Sequence, residues 1–184
     1  MAQTKFKMTN GKFFVFAIAI YLLIIVFPRA IFAQSSYVLP YPSAMPGSIF
    51  YKTHLVWEEI MKYWYFGNFG QFAYNLKQSD KYLVEAKTLF EYKQFLLAYT
   101  ALMKSDSYFA QSPLYLGLAK KENKDIEDKK NILKNAALKH TEVLEFLKNE
   151  VPEKFEWTPE KSSPTKLNLE EAISKSIEIR KNNL

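Results

Sequence analysis

Cysteine is absent from this chain of 184 residues, glycine occurs five times and histidine twice. Without cysteine there is no disulfide framework, no lipid attachment at a signal-peptide cysteine, no thiol nucleophile and no Cys-ligated zinc or iron–sulfur centre. The glycines form neither a Walker nor a dinucleotide-binding pattern. No Gly-x-Ser-x-Gly elbow occurs, and two histidines leave few bases to activate a hydroxyl. Acidic residues are missing from the first 33 positions, which hold Lys5, Lys7, Lys12 and Arg29. Those four cations carry most of the formal charge of +6, because the remainder sets 21 Lys and Arg against 19 Asp and Glu. A nearly neutral remainder lacks the clustered cations that displace counterions from phosphate, so nucleic acid is not an expected partner.

What is present begins with Phe13–Phe27, an uninterrupted apolar run of 15 residues behind three lysines and ahead of Pro28 and Arg29. This is the pattern of an export signal. As a helix the run spans roughly 22 Å, short of the ~30 Å hydrocarbon core, which favours a signal peptide removed after Ala33. If Arg29 snorkels and Ala30–Ala33 extend the helix, residues 13–33 serve instead as an uncleaved membrane anchor. Either way residues 34–184 are expected outside the cytoplasm, and a buried core helix of a cytosolic protein fits the flanking charges less well. About 150 exported residues can bury enough surface to fold without disulfides.

After the leader, Pro40, Pro42 and Pro46 exclude helix over residues 34–47 and predict an extended arm whose aromatics pin on the body. Ser48 is the expected N-cap of a helix to about Tyr65, with Val56, Trp57, Ile60, Met61 and Trp64 on one face. Gly67 and Gly70 end it. Phe72, Leu76, Ser79, Leu83, Ala86 and Phe90 then recur at alternating spacings of four and three, the seam of a helix facing another helix. Phe95, Ala98, Leu102, Ser105, Phe109, Ser112, Leu116 and Ala119 repeat the pattern, as do Ile126, Lys130, Leu133, Ala137, His140, Leu144, Leu147 and Val151. The change of register between the first two seams places a turn at Glu91–Gln94, and Pro113 is expected to kink the later helix near Phe109. Residues 152–167 read as a Pro- and Ser-rich linker. Asn168 and Glu171 then form a capping pair for a short helix docking by Leu169, Ala172, Ile173 and Ile177. The expected fold is all-α, an antiparallel helical hairpin or bundle of four to five helices over residues 48–151, followed by linker and helix over 152–184.

The order of LPYPSAMPGS (39–48), SDKYLVEA (79–86), LKHTEVLE (138–145) and VPE (151–153) resembles a bacterial family known only as domain of unknown function 5667. The chain departs from that family at Phe66–Gly70, where Phe-Asp-Pro is usual, and at Glu91–Gln94, where the turn usually contains Gly. The resemblance implies an exported all-helical protein and brings no activity or catalytic residue.

Candidate chemistry is sparse. His54 and Glu58 stand four apart on one helix and could present two metal ligands, although the same spacing makes an ordinary surface pair. His140 is the only other imidazole, and a joint site with His54 competes with a packed, hydrogen-bonded His140. No Glu-x-x-His motif supplies a bundle di-metal set. The neighbouring acids Glu58 and Glu59 diverge on a helix and read as solvated. Trp57, Trp64, Tyr65 and Phe69 belong to an aromatic concentration that either builds core or forms a contact surface for a peptide, a glycan or a membrane. The sequence therefore predicts a non-catalytic exported module acting by contact in the cell envelope, without a cofactor. Its expected partners are the membrane, through residues 13–33 if they are retained, and an envelope protein. A metal- or small-ligand-binding helical protein is the alternative.

Overall fold

The computed structural model describes residues 36–42, 45–160 and 163–182, so the leader expectations for residues 1–33 lie outside the described residues. The seams become the long helices α2 (Gly67–Glu91), α3 (Phe95–Lys121) and α4 (Glu127–Glu150). A shorter helix precedes them, α1 (Tyr51–Lys62), and another follows, α5 (Leu169–Lys181). The body is all-α, as the spacings require. Among the described residues no helix is long and apolar enough to cross a membrane.

Helices α2 and α3 make an antiparallel hairpin. Phe90 meets Phe95 near the turn, Ser79 bonds Ser105 further along, and Tyr74 meets Tyr108 beyond that. The turn falls where the register change puts it, and it closes without glycine because Lys93 takes the left-handed conformation at φ 59°. Helix α3 continues through Pro113 to Lys121. The α1–α2 corner depends on Gly70. A Cβ there would lie 2.8 Å from the Tyr65 carbonyl carbon, a backbone atom that cannot swing aside. Gly70→Ala should therefore cost about 1–3 kcal/mol in urea unfolding, and an unchanged midpoint would show that the corner is slack.

Two apolar clusters fill the interior. One gathers Leu83, Leu89, Phe90, Leu102, Leu144, Leu147, Leu169 and Ile173, the other Phe72, Leu76, Phe109, Leu116 and Leu133. Along every seam the change from one cluster to the other falls on a polar residue: Ser79 lies between Leu76 and Leu83, Ser105 between Leu102 and Phe109, and His140 between Ala137 and Leu144. The extended arm is pinned as expected, with Leu39 and Met45 against the first cluster and the Tyr37 hydroxyl donating to Asp80 at 2.6 Å.

Three expectations are corrected. The first helix begins at Tyr51 rather than after Ser48, whose hydroxyl accepts from Phe50 N–H inside a preceding turn. It also stops at Lys62, short of Tyr65. The linker contains an antiparallel ribbon, β1 (Lys154–Trp157) with β2 (Thr165–Asn168), in which Phe155 pairs with Leu167 and Trp157 with Thr165. Pro159 and Pro164 stand between the strands, so the residues that read as a structureless linker close a hairpin. Asn168 caps α5 as expected, accepting from Glu171 N–H at 3.2 Å, and the stripe from Leu169 to Ile177 is buried.

Candidate functional site: a first helix turned inside out

Helix α1 contributes no fully buried residue, although it carries some of the most hydrophobic side chains in the chain. Its half-buried positions are Tyr51, His54, Leu55, Glu58 and Met61, with Tyr65 just beyond its end. These fall on one side at spacings of three and four, so the side facing the body is largely polar. The opposite side displays Val56, Trp57, Ile60, Tyr63 and Trp64, flanked by Ile49, Phe50 and Phe66, all exposed; Trp64 is 72 % exposed and Val56 62 %. Of the stripe that the sequence places on one face, only Met61 turns inward. The expected patterning is inverted, since a surface helix normally buries its apolar arc.

The inversion is held by hydrogen bonds and charge. Glu58 accepts from Lys81 at 2.5 Å, lies 3.4 Å from His54 Nε2 and 3.5 Å from the Tyr82 hydroxyl, and its backbone carbonyl accepts from Tyr74 at 3.3 Å. Glu58 is thus paired and largely covered, not solvated as its neighbour Glu59 is. Tyr51 donates to Glu85 at 3.1 Å, and its hydroxyl is pushed up to about 12, by burial first and by the Glu85 carboxylate second. Burial raises the Glu85 carboxyl above its ordinary range, against the opposing Tyr51 hydrogen bond and the charges of Lys81 and Lys104. Gln71 of α2 closes the corner by donating to the Tyr65 carbonyl at 2.7 Å. A cavity of about 250 Å³ remains beneath α1, lined by His54, Trp57, Glu58, Met61, Tyr65, Tyr74 and Gln78 among others.

His140 sits elsewhere. It is fully buried in the polar layer, its Nε2 2.7 Å from Asp80 and its ring 5.3 Å from that of Phe109. His54 pairs with Glu58 and His140 with Asp80, and no three His, Asp or Glu side chains gather as a metal ion would require among the described residues. Trp57 and Tyr65 line the cavity, Trp64 stands free of it, and Phe69 packs half-buried against the second core cluster under Lys124, whose ammonium is 5.5 Å from the ring.

Burial lowers the His140 pKa, and Arg180 lowers it further, against the Asp80 hydrogen bond and the Asp80 and Asp106 charges. The imidazole is therefore neutral, its Nε2–H donating to Asp80 while Nδ1 has no partner among the described residues. As pH falls below the unfolded value of about 6.5, the unfolded chain takes up a proton that the folded chain refuses. Stability is then lost at up to about 1.4 kcal/mol per unit until the folded pKa is reached. Glu85 works in the opposite sense, because its raised pKa favours the fold at low pH and that contribution fades as pH rises above the ordinary carboxyl value. Comparing His140→Asn with wild type isolates the histidine. Urea titrations at pH 7.5 and 5.5 should show the wild type losing about 1 kcal/mol more than the variant; equal losses would mean that His140 titrates normally.

The residues missed by sequence reasoning are Asp80, Asp106 and Arg180. Arg180 is fully buried, pairs with Asp106 through Nη1 and donates from Nη2 to Ser105 Oγ at 2.8 Å. Ser176 donates to the other Asp106 oxygen at 2.6 Å. A signal existed, because Arg180 is the one arginine after position 29 in a chain that otherwise uses lysine. Arginine is the cation suited to a buried, multiply bonded carboxylate.

No family model matches the chain, nor does any curated protein or any solved structure.

Proposed function

We propose that this chain is an exported, non-catalytic helical module that works by contact in the cell envelope. The observation that carries the reading is the inverted α1. The bundle's buried titratable groups Asp80, His140, Asp106 and Arg180 are paired with one another, while an unpaired apolar arc is presented outward on a helix that contributes no fully buried residue. Exposed arcs of this kind mark interaction surfaces in folded proteins. Export rests on the leader, with its three lysines, apolar run and Pro28–Arg29 stop. Fusing alkaline phosphatase or a green fluorescent protein after Leu184 tests it: the phosphatase should be active and the fluorophore dark, and the reverse pair of results would overturn export.

A second reading, as a small-ligand-binding protein outside the cytoplasm, is favoured by one observation. Gln78 is buried at the wall of the cavity under α1, and its Oε1 has no partner among the described residues. An unmet acceptor beside Tyr65, Tyr74 and Trp57 suits a ligand that brings an N–H or O–H donor and an apolar face. For the metal version of this reading, calorimetric titration with Zn²⁺ should give the same heats for wild type, His54→Ala and His140→Ala. Heat lost in either variant would make the metal real.

A further inference from the structure

We propose that the outward arc of α1 lies in the headgroup region of a lipid bilayer, so that the domain rests on the membrane that the apolar run 13–27 enters. The inference deepens the envelope reading by naming the surface that is contacted, and it rests on that reading for the leader.

The arc has the composition of an interfacial helix. Aliphatic Val56 and Ile60 run along its middle, while Trp57, Tyr63 and Trp64, whose rings prefer the boundary between hydrocarbon and water, stand at its sides. Exposed Lys52 lies on the polar shoulder, where it can reach anionic headgroups, beside Glu59. The inner side has no use for lipid, because Glu58 and Tyr51 are spent on Lys81 and Glu85.

Where residues 13–33 are retained as the anchor, chain length keeps the domain within reach of the membrane. Phe27 and Ser36 are nine residues apart, at most about 30 Å even fully extended. From there the arm is fixed to the body through Tyr37 and Asp80. A surface tethered at that range meets lipid at high effective concentration, so modest intrinsic affinity suffices.

A second copy of the chain is the rival occupant, and area argues against it. Even counted from Ile49 to Phe66 at helical rise, the arc is a strip ~27 Å long and ~10 Å wide. That is a few hundred Å² per copy, against the ~800 Å² per partner of a stable dimer.

The test uses the full chain in phosphatidylethanolamine–phosphatidylglycerol vesicles, some carrying bromine near the headgroup end of the acyl chains. The leader contains no tryptophan, so the three tryptophans at 57, 64 and 157 report on the domain alone. A variant retaining only Trp64 is compared with one retaining only Trp157, which sits in the β ribbon. Trp64 should emit to the blue of its value in water and be quenched about threefold more than Trp157. Ile60→Asp should abolish that quenching with the circular dichroism spectrum unchanged, because Ile60 packs into no core. Equal quenching of the two tryptophans would overturn the proposal, as would a blue shift at Trp64 without quenching, which would mean protein covers it. Vesicle quenching reads lipid contact alone and the reporter fusions read export alone, so failure of one is distinguishable from failure of the other.

Discussion

Asp106→Ala is expected to remove about 3–5 kcal/mol of folding stability, because it strands the Arg180 guanidinium in the polar layer with its counter-charge gone. Arg180 is fully buried, burial already lowers its pKa, and Asp106 is the largest influence opposing that shift. The remaining partners, Ser105 Oγ and the Ser176 carbonyl, offer dipoles but no charge. Ser176 also loses the carboxylate it donates to. Urea unfolding monitored by circular dichroism gives the size of the effect, and a double-mutant cycle gives its origin. Asp106→Leu combined with Arg180→Met should recover most of the loss, since a buried pair replaced by apolar groups of similar bulk is close to neutral. A double variant as unstable as the sum of the singles would mean that the two side chains act independently.

Phe109→Ala is the second large effect, again about 3–5 kcal/mol from lost packing and the cavity left behind. The ring is fully buried in the cluster with Phe72, Leu76, Leu116 and Leu133, and it also touches the polar layer. Its centroid lies 5.3 Å from that of His140 and 5.0 Å from the Arg180 guanidinium carbon. A desolvated cation on an aromatic face adds on the order of 2 kcal/mol. Phe109→Leu should cost markedly less than Phe109→Ala but lose the same cation contact. Equal costs for the two would show that the aromatic face, not the volume, sets the stability. If Phe109→Ala admits water beside His140, its stability should also fall less steeply between pH 7.5 and 5.5, because a hydrated imidazole accepts its proton more readily.

The long helices were legible because their cores repeat at three and four residues, yet Leu89, Ala101 and Ala136 of the core fall outside those seams, while the seam residues Ile126 and Val151 are only half-buried and Lys130 is exposed. The serines and the histidine of those seams stood in plain view, but that they meet in one polar layer is shown only by the fold. The partners were not legible, since Asp80 and Asp106 sit one place off the seam and Arg180 belongs to a helix that arrives only after a hairpin. Tertiary approach, not spacing, brings them together. The hairpin was hidden by Pro159 and Pro164, which read as linker although they stand between two paired strands. Helix α1 was misleading for a different reason. Periodicity reports that Val56, Trp57, Ile60 and Trp64 share a face, but it does not say which way the face points. Lys81, Tyr82 and Glu85 on α2 decide that, because they offer Glu58 and Tyr51 partners that no apolar side chain could match. Glu58 and His54 were found as a pair, and Glu58, through Lys81 and Tyr82, holds α1 by its polar side.

The most direct test of that orientation is a nitroxide scan of α1, which the absence of native cysteine makes simple. Single cysteines replacing residues 54 to 64 in turn would be spin-labelled in the vesicle-bound full chain and their collision rates with oxygen recorded. The account predicts helical periodicity with maxima at 56, 60 and 64 and minima at 54, 58 and 61. A periodicity of opposite phase, with 56, 60 and 64 shielded and 58 open, would contradict it.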